Sequence, residues 1–206
     1  MTKILHVDSS PLGTASVTRQ LTASIVEALV KADPAATVVT RDVAANPPAH
    51  LDAELLPVLK LGVQDGLSDR QREELALTNV LLDEFLAADV VVVGAPMYNF
   101  SVPTQLKAWI DRLAQAGRTF RYTENGPEGL AGGKRVIVAS GRGGVYSTNP
   151  ALAGLDHQEA YLRSVFGFFG ITDVSFVRAE GVSMGPEARD KALAGAAKVI
   201  EELVAA

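Results

Sequence analysis

An open, doubly wound α/β sheet with helices on both faces is the fold the sequence predicts, on three observations. Apolar runs of strand length alternate along the whole chain with stretches of helical periodicity. Two of those runs, Asp89–Val93 and Arg135–Ala139, are continuously apolar after their first residue, the pattern of parallel strands covered on both sides. The chain has 206 residues, which suits one domain (1–206) with five parallel strands, whereas a closed eight-fold barrel typically needs about 250.

Taken in order, Lys3–Val7 is a short strand that ends in Asp8, Ser9, Ser10 and Pro11. Ser16–Lys31 predicts a helix, with Leu21, Ile25 and Leu29 on one face. Thr37–Arg41 is the second strand. Arg70–Ala87 is a helix with Leu75, Leu82 and Phe85 inward and Ser68 or Asp69 as its N-cap. Asp89–Val93 is the third strand, and Pro103–Ala116 the helix after it. In that helix Leu106, Trp109, Ile110 and Leu113 form a packing face or a dimer seam. Arg135–Ala139 is the fourth strand, Leu152–Phe169 a helix and Ile171–Val177 the fifth strand. Glu187–Val204 closes the chain with Leu193, Ile200 and Leu203 inward.

One stretch is irregular. Ala45–Asp69 carries Pro47, Pro48, Pro57, Gly62 and Gly66 and exceeds the roughly 2–6 residues usual for such connections. Two readings fit it: a surface excursion with a short helix around Leu51–Leu61, or a wall of the functional site or a subunit contact. The charged run Asp69–Glu74 reads as a solvated helix start.

Composition excludes several classes. Apolar residues make up 48% and charged residues 21%, which rules out disorder as the main state. A net charge of −5 and a pI near 5.2 argue against nucleic acid as a partner, because phosphate backbones select basic surfaces. With no cysteine, a disulfide scaffold, a thiol nucleophile and Cys-based metal sites are excluded. His6, His50 and His157 show no metal-ligand spacing, so no metal site is expected. His6 reads as a core residue. The N-terminus lacks signal-peptide architecture and no apolar run has membrane-spanning length. A soluble, cytoplasmic protein without a membrane partner is the expectation.

Ligands of doubly wound sheets bind beyond the carboxyl ends of the strands, where strand order reverses. The loop after the first strand holds Ser9, Ser10, Thr14, Ser16 and Thr18. Such hydroxyls at a helix start suit a phosphate monoester held without metal, or else they cap the helix and fill a polar turn. Neither a G-x-G-x-x-G fingerprint nor a G-x-x-x-x-G-K-[ST] loop is present there. After the third strand, Gly94–Phe100 brings Met97, Tyr98 and Phe100, too apolar for a free surface loop and suited to a flat apolar ring. Backbone N–H groups near Asn99 would meet that ring's heteroatoms. After the fourth strand, Ser140–Gly144 combines Gly141, Gly143 and Gly144 with Arg142. Its peptide N–H groups suit negative charge developing on a ring. Arg142 reads as a ligand contact or a solvated turn charge. Asp8 occupies the place of the acids in receiver domains, but Ser9 and Ser10 do not supply the further acids a magnesium site needs.

Ala95–Phe100, Gln105–Lys107, Thr119–Gly129, Arg142–Gly144 and Gly170–Asp173 together resemble the FMN-dependent NADH azoreductases, which are flavodoxin-like NAD(P)H:quinone oxidoreductases. The likeness runs in order over nearly the whole chain. It implies a flavodoxin-like fold, FMN as cofactor, NADH or NADPH as donor, quinones or azo compounds as acceptors, ping-pong two-electron chemistry and a homodimer with FMN sites at the subunit interface. Carried over by position, Ser10, Ser16, Val17 and Thr18 match the FMN phosphate loop. Met97, Tyr98, Asn99 and Phe100 match the segment along the isoalloxazine ring, and Gly141, Arg142, Gly143 and Gly144 the loop at its pyrimidine end. Phe120 and Tyr122 match an aromatic wall from the partner subunit. The resemblance implies catalytic roles for Asn99 and Tyr122, and acceptor contacts for Phe100, Phe120, Tyr122 and Tyr146. Two departures bear on acceptor range: Ser140 lies one place earlier than in the usual Ser-Arg-Gly-Gly, and Tyr146 stands where a histidine is common. A single-electron carrier of the same fold would ring its cofactor with acids, whereas these loops carry glycine and Arg142.

Overall fold

The computed structural model describes residues 1–205. Strands β1 (Lys3–Asp8) and β2 (Thr37–Asp42) flank helix α1 (Val17–Ala32), which follows a short 3-10 turn at Gly13–Ala15. Helices α2 (Leu55–Leu61) and α3 (Asp69–Ala87) lead to β3 (Val90–Pro96) and α4 (Thr104–Leu113). A hairpin of β4 (Phe120–Thr123) and β5 (Gly126–Gly129) precedes β6 (Arg135–Arg142). The chain ends with α5 (Pro150–Ala153), α6 (His157–Phe168), β7 (Asp173–Glu180) and α7 (Pro186–Ala205).

Five strands pair in parallel in the order β2-β1-β3-β6-β7, so the direction of winding reverses between β1 and β3. The alternation of side chains along each strand decides the two cores. Val91, Val93, Val136 and Val138 face α3, α4 and α6 in a core with Phe85, Trp109, Phe166 and Phe169. Val92, Ile137 and Val177 face α1 and α7 with Leu21, Ile25 and Ile200. Trp109 is fully buried and meets Phe85 edge-on at 6.0 Å between centroids, so this helix face is core within the chain. No helix among the described residues is long and apolar enough to cross a membrane.

Several boundaries depart from expectation. All five strands run further than expected, β1 and β2 by one residue and β3 to Pro96, β6 to Arg142 and β7 to Glu180, because backbone pairing continues through glycine, proline and charged residues where apolar patterning stops. The single helix expected over Leu152–Phe169 is two helices, because the Asp156 side chain accepts from the Gln158 and Glu159 amides and starts a new one. Ser68 rather than Asp69 caps α3, in a reciprocal box with Gln71. The run Asp69–Glu74 is not solvated throughout: Glu74 turns inward to the buried Arg112 guanidinium at 2.7 Å. Within Ala45–Asp69, α2 packs through Leu55, Val58 and Leu59 against Leu75 of α3, and this excursion does not line the cavity described below.

Candidate active site

The loops after β1, β3 and β6 meet at the carboxyl edge of the sheet around a cavity of about 350 Å³. Ser10, Ser16, Val17 and Thr18 line it from the first loop; Pro96, Met97 and Tyr98 line it from the second. Gly141 and Gly143 come from the third. A Cβ at Gly141 would stand 3.0 Å from Thr18 Cγ2, and one at Gly143 3.0 Å from Ser183 Oγ, so glycine at both places lets the loops close together.

The wall supplied by the first loop has the donors an anion requires. Ser16 caps α1, its Oγ accepting the Arg19 amide at 3.3 Å and lying 3.1 Å from Thr18 Oγ1. The Gln20 amide goes to the Ser16 carbonyl, which leaves the Val17 and Thr18 amides open at the positive end of the helix. Ser10, Ser16 and Thr18 are all buried. The nearby cation Arg19 is turned away. Its Nε donates to the Ser10 carbonyl at 3.0 Å, and its other nitrogens bind Asp8 and Asp42. The hydrogen bond with Arg19 outweighs burial and holds the Asp42 carboxyl below its ordinary pKa. Asp8 also accepts from Thr22 Oγ1 at 2.8 Å, and no group of three metal-ligating side chains exists among the described residues.

The second loop is a strained turn. Tyr98 and Ser101 exchange backbone hydrogen bonds at 3.0 and 3.1 Å, and the two residues between them, Asn99 and Phe100, have φ of 48° and 72°. Asparagine accepts this left-handed pair of a two-residue turn; phenylalanine does so at a cost of about 1–3 kcal/mol. The Phe100 carbonyl is held by the His157 amide at 3.1 Å, and the Met97 amide binds the Gly141 carbonyl at 2.8 Å. The Phe100 ring stands edge-to-face with Tyr146 at 6.4 Å, joining the second loop to the third. Asn99, Phe100 and Tyr146 therefore lie beside the cavity rather than in its wall.

Arg142 corrects the sequence reading. Its side chain is wholly buried and points under the third loop. Nε donates to Ser140 Oγ at 2.9 Å, Nη1 reaches Asp156 at 2.9 Å and Glu180 at 3.2 Å, and Nη2 reaches Glu159. Its charge is thus neither solvated nor available to a ligand, and three acids do stand beneath this loop. Ser140 likewise turns inward, donating to Gln158 Oε1 at 2.6 Å. Glu180 fixes the loop from below, accepting the Tyr146 amide at 2.9 Å, the Ser147 amide at 3.1 Å and the Ser147 hydroxyl. Burial pushes the Glu180 pKa up, but those hydrogen bonds and the Arg142 charge overcome it and leave the group below its ordinary value. The carbonyls of Gly143 and Gly144 are taken by the amides of Ser183 and Gly181.

Sequence reasoning missed the fourth wall. Val182 and Ser183 follow β7, and Arg189 comes from the first turns of α7. The glycines Gly181 and Gly185 after the fifth strand mark another loop at the same edge and would have pointed to the first two. Nothing local marks Arg189, because only the packing of α7 beside α1 brings it there.

The family model Flavodoxin_2, described as a flavodoxin-like fold, matches residues 2–204. The chain belongs to this family. Of its relatives, the FMN-dependent NADH:quinone oxidoreductase of Azospirillum brasilense is 69% identical over 201 residues, covering 98% of this chain and 97% of its own. That of Acidovorax ebreus is 58% identical, covering 99% and 94%. Of solved structures, an FMN-dependent NADH-azoreductase from Bacillus anthracis in complex with FMN superposes with a TM-score of 0.90 at 27% identity, covering 100% of this chain and 98% of that one. A second azoreductase from the same species gives 0.88 at 31% identity, covering 99% of each.

The remaining residues implied by the family likeness lie apart from the cavity. Phe120 and Tyr122 sit on the β4–β5 hairpin and meet edge-to-face at 5.6 Å. Phe120 packs on Phe168 at 4.6 Å, while Tyr122 is 75% exposed. Neither lines the cavity of its own chain.

Proposed function

We propose that this protein is an FMN-dependent NAD(P)H oxidoreductase that reduces quinones and azo compounds. The observation that carries the reading is a cavity with two unlike walls: open amides and hydroxyls of Ser10, Ser16 and Thr18 from the first loop, and apolar Pro96, Met97 and Tyr98 from the second. A phosphate joined to a flat heteroaromatic ring has that polarity, so the residues present fit FMN. The names of full-length relatives favour the same cofactor, with NADH as donor.

The chemistry FMN supplies when bound is two-electron transfer, from the nicotinamide donor to the acceptor in ping-pong order. The chain's own residues do the rest. The Val17 and Thr18 amides and the three hydroxyls hold the phosphate. Met97 and Tyr98 cover the ring, and Asn99 presents polar groups to its edge. Gly143 and Gly144, whose carbonyls rather than amides are consumed by the β7–α7 loop, offer N–H groups where negative charge develops. Phe100 and Tyr146 form one side of the acceptor site. The exposed Tyr122 and its neighbour Phe120 complete it from the partner subunit of a homodimer, which accounts for an aromatic pair standing off its own cavity.

The test is direct. The purified protein should bind FMN at micromolar concentrations or tighter and turn over NADH with menadione. Ser16→Ala with Thr18→Ala should weaken FMN far more than riboflavin, and light scattering should give about twice 21.7 kDa. A protein that refuses FMN overturns the assignment, and a fully active monomer overturns the shared site.

A further inference from the structure

We propose that Arg189 supplies the positive charge that pairs with the cofactor's phosphate and so sets preference for the phosphorylated flavin over riboflavin. The inference rests on the FMN reading above and adds to it a residue from the opposite end of the chain. Arg189 is the one charged residue lining the cavity among the described residues. Its guanidinium reaches the carbonyl of Ala15, the residue before Ser16 and 174 positions away in sequence, at 3.5 Å. No carboxylate of the described residues lies within 4.0 Å of it. That sets it apart from the two other arginines near this edge: Arg19 binds Asp8 and Asp42, and Arg142 binds Asp156, Glu159 and Glu180.

The need for such a charge follows from the first loop. Ser10, Ser16, Thr18 and the open amides of Val17 and Thr18 are neutral donors, and the helix end contributes only about half an elementary charge. The protein as a whole carries a net charge of −5, so its field opposes a dianion. A half-buried arginine in the cavity wall offsets that repulsion with charge-assisted hydrogen bonds. α7 is held in place by its packing on α1 and the sheet through Ala196 and Ile200, so Arg189 is presented from a fixed element.

The experiment titrates the cofactor-free protein with FMN and, separately, with riboflavin, following flavin fluorescence. For Arg189→Met the expected result is about a tenfold rise in the Kd for FMN, with the Kd for riboflavin unchanged. The FMN affinity of the variant should also depend less on salt than that of the parent, because one ionic contact is gone. Arg189→Lys keeps the charge and should restore most of the FMN affinity, which separates charge from packing. If Arg189→Met binds FMN as the parent does while the parent still prefers FMN to riboflavin, the proposal is overturned and the function stands. Equal losses for FMN and riboflavin, unrelieved by Arg189→Lys, would mean that Arg189 acts through packing and would also overturn it. A parent protein that does not bind FMN removes the functional reading, and the proposal with it.

Discussion

Replacing Arg142 by Met is the most searching test of how the ring-side loops are held. The substitution keeps a flexible, unbranched stem but removes hydrogen bonds or ion pairs to Ser140, Asp156, Glu159 and Glu180. The three acids left behind are at most 16% exposed, so water cannot repay the loss in full. Breaking a buried pair by removing one partner costs about 3–5 kcal/mol. A domain of this size loses roughly 2–4 °C of Tm per kcal/mol, so a fall of about 10 °C is expected. Urea titration of the cofactor-free protein should give the same free-energy difference. The pH dependence carries the sign. Glu180 has a lowered pKa in the folded parent, so its contribution is present above the unfolded carboxyl value and lost as pH falls through the folded one. Most of the lowering comes from the Ser147 and Tyr146 hydrogen bonds; without Arg142 the part its charge supplies is absent, and the gap between parent and variant should narrow towards acid. A loss below about 1 kcal/mol at neutral pH, or one that does not change with pH, would refute the view that this cation ties the third loop to α6 and β7.

Three further outcomes are expected. Asn99→Ala should slow reduction of the bound cofactor by NADH more than it weakens FMN binding, because it alters the strained turn beside the cavity; stopped-flow traces identical to the parent would remove Asn99 from the site. Gly129→Ala places a Cβ 2.0 Å from the Gly170 amide nitrogen, so the hairpin must lift off the turn after α6, costing more than about 2 kcal/mol in denaturant titration; a neutral result would mean that the hairpin moves freely. Burial lowers the pKa of Lys60 to about 8, while a neutral amine still donates to the Asp111 and Ala114 carbonyls. Folding therefore favours the neutral form, and stability should rise with pH from about 8 towards the unfolded lysine value near 10.4. Lys60→Met should abolish that rise, and melting curves from pH 7.5 to 9.5 decide the matter.

Much of the architecture was legible because burial on both faces leaves a plain mark. The valines of Val90–Val93 and the apolar Val136–Ala139 have no polar face to present, so only a covered parallel strand accommodates them. The β4–β5 hairpin left no such mark. Its four-residue strands are mostly exposed and contain Arg121 and Glu128, so neither periodicity nor an apolar run betrays them. The break before α6 depended on a side chain competing for backbone amides at Asp156, which apolar spacing does not register.

By itself the sequence determined the winding of the sheet, the edge at which the cavity opens and three of the segments that meet there. It could do so because strand and helix periodicities and turn residues are local properties of the chain. Tertiary structure alone decided where each charge goes. Arg142 sits in a loop whose glycines line the cavity yet spends its guanidinium on acids contributed by α6 and β7, while Arg189, on an unremarked helix face, is left facing the cavity. Which carboxylate a cation reaches depends on elements far apart in sequence, and Coulomb attraction and burial act on those distances rather than on spacing along the chain.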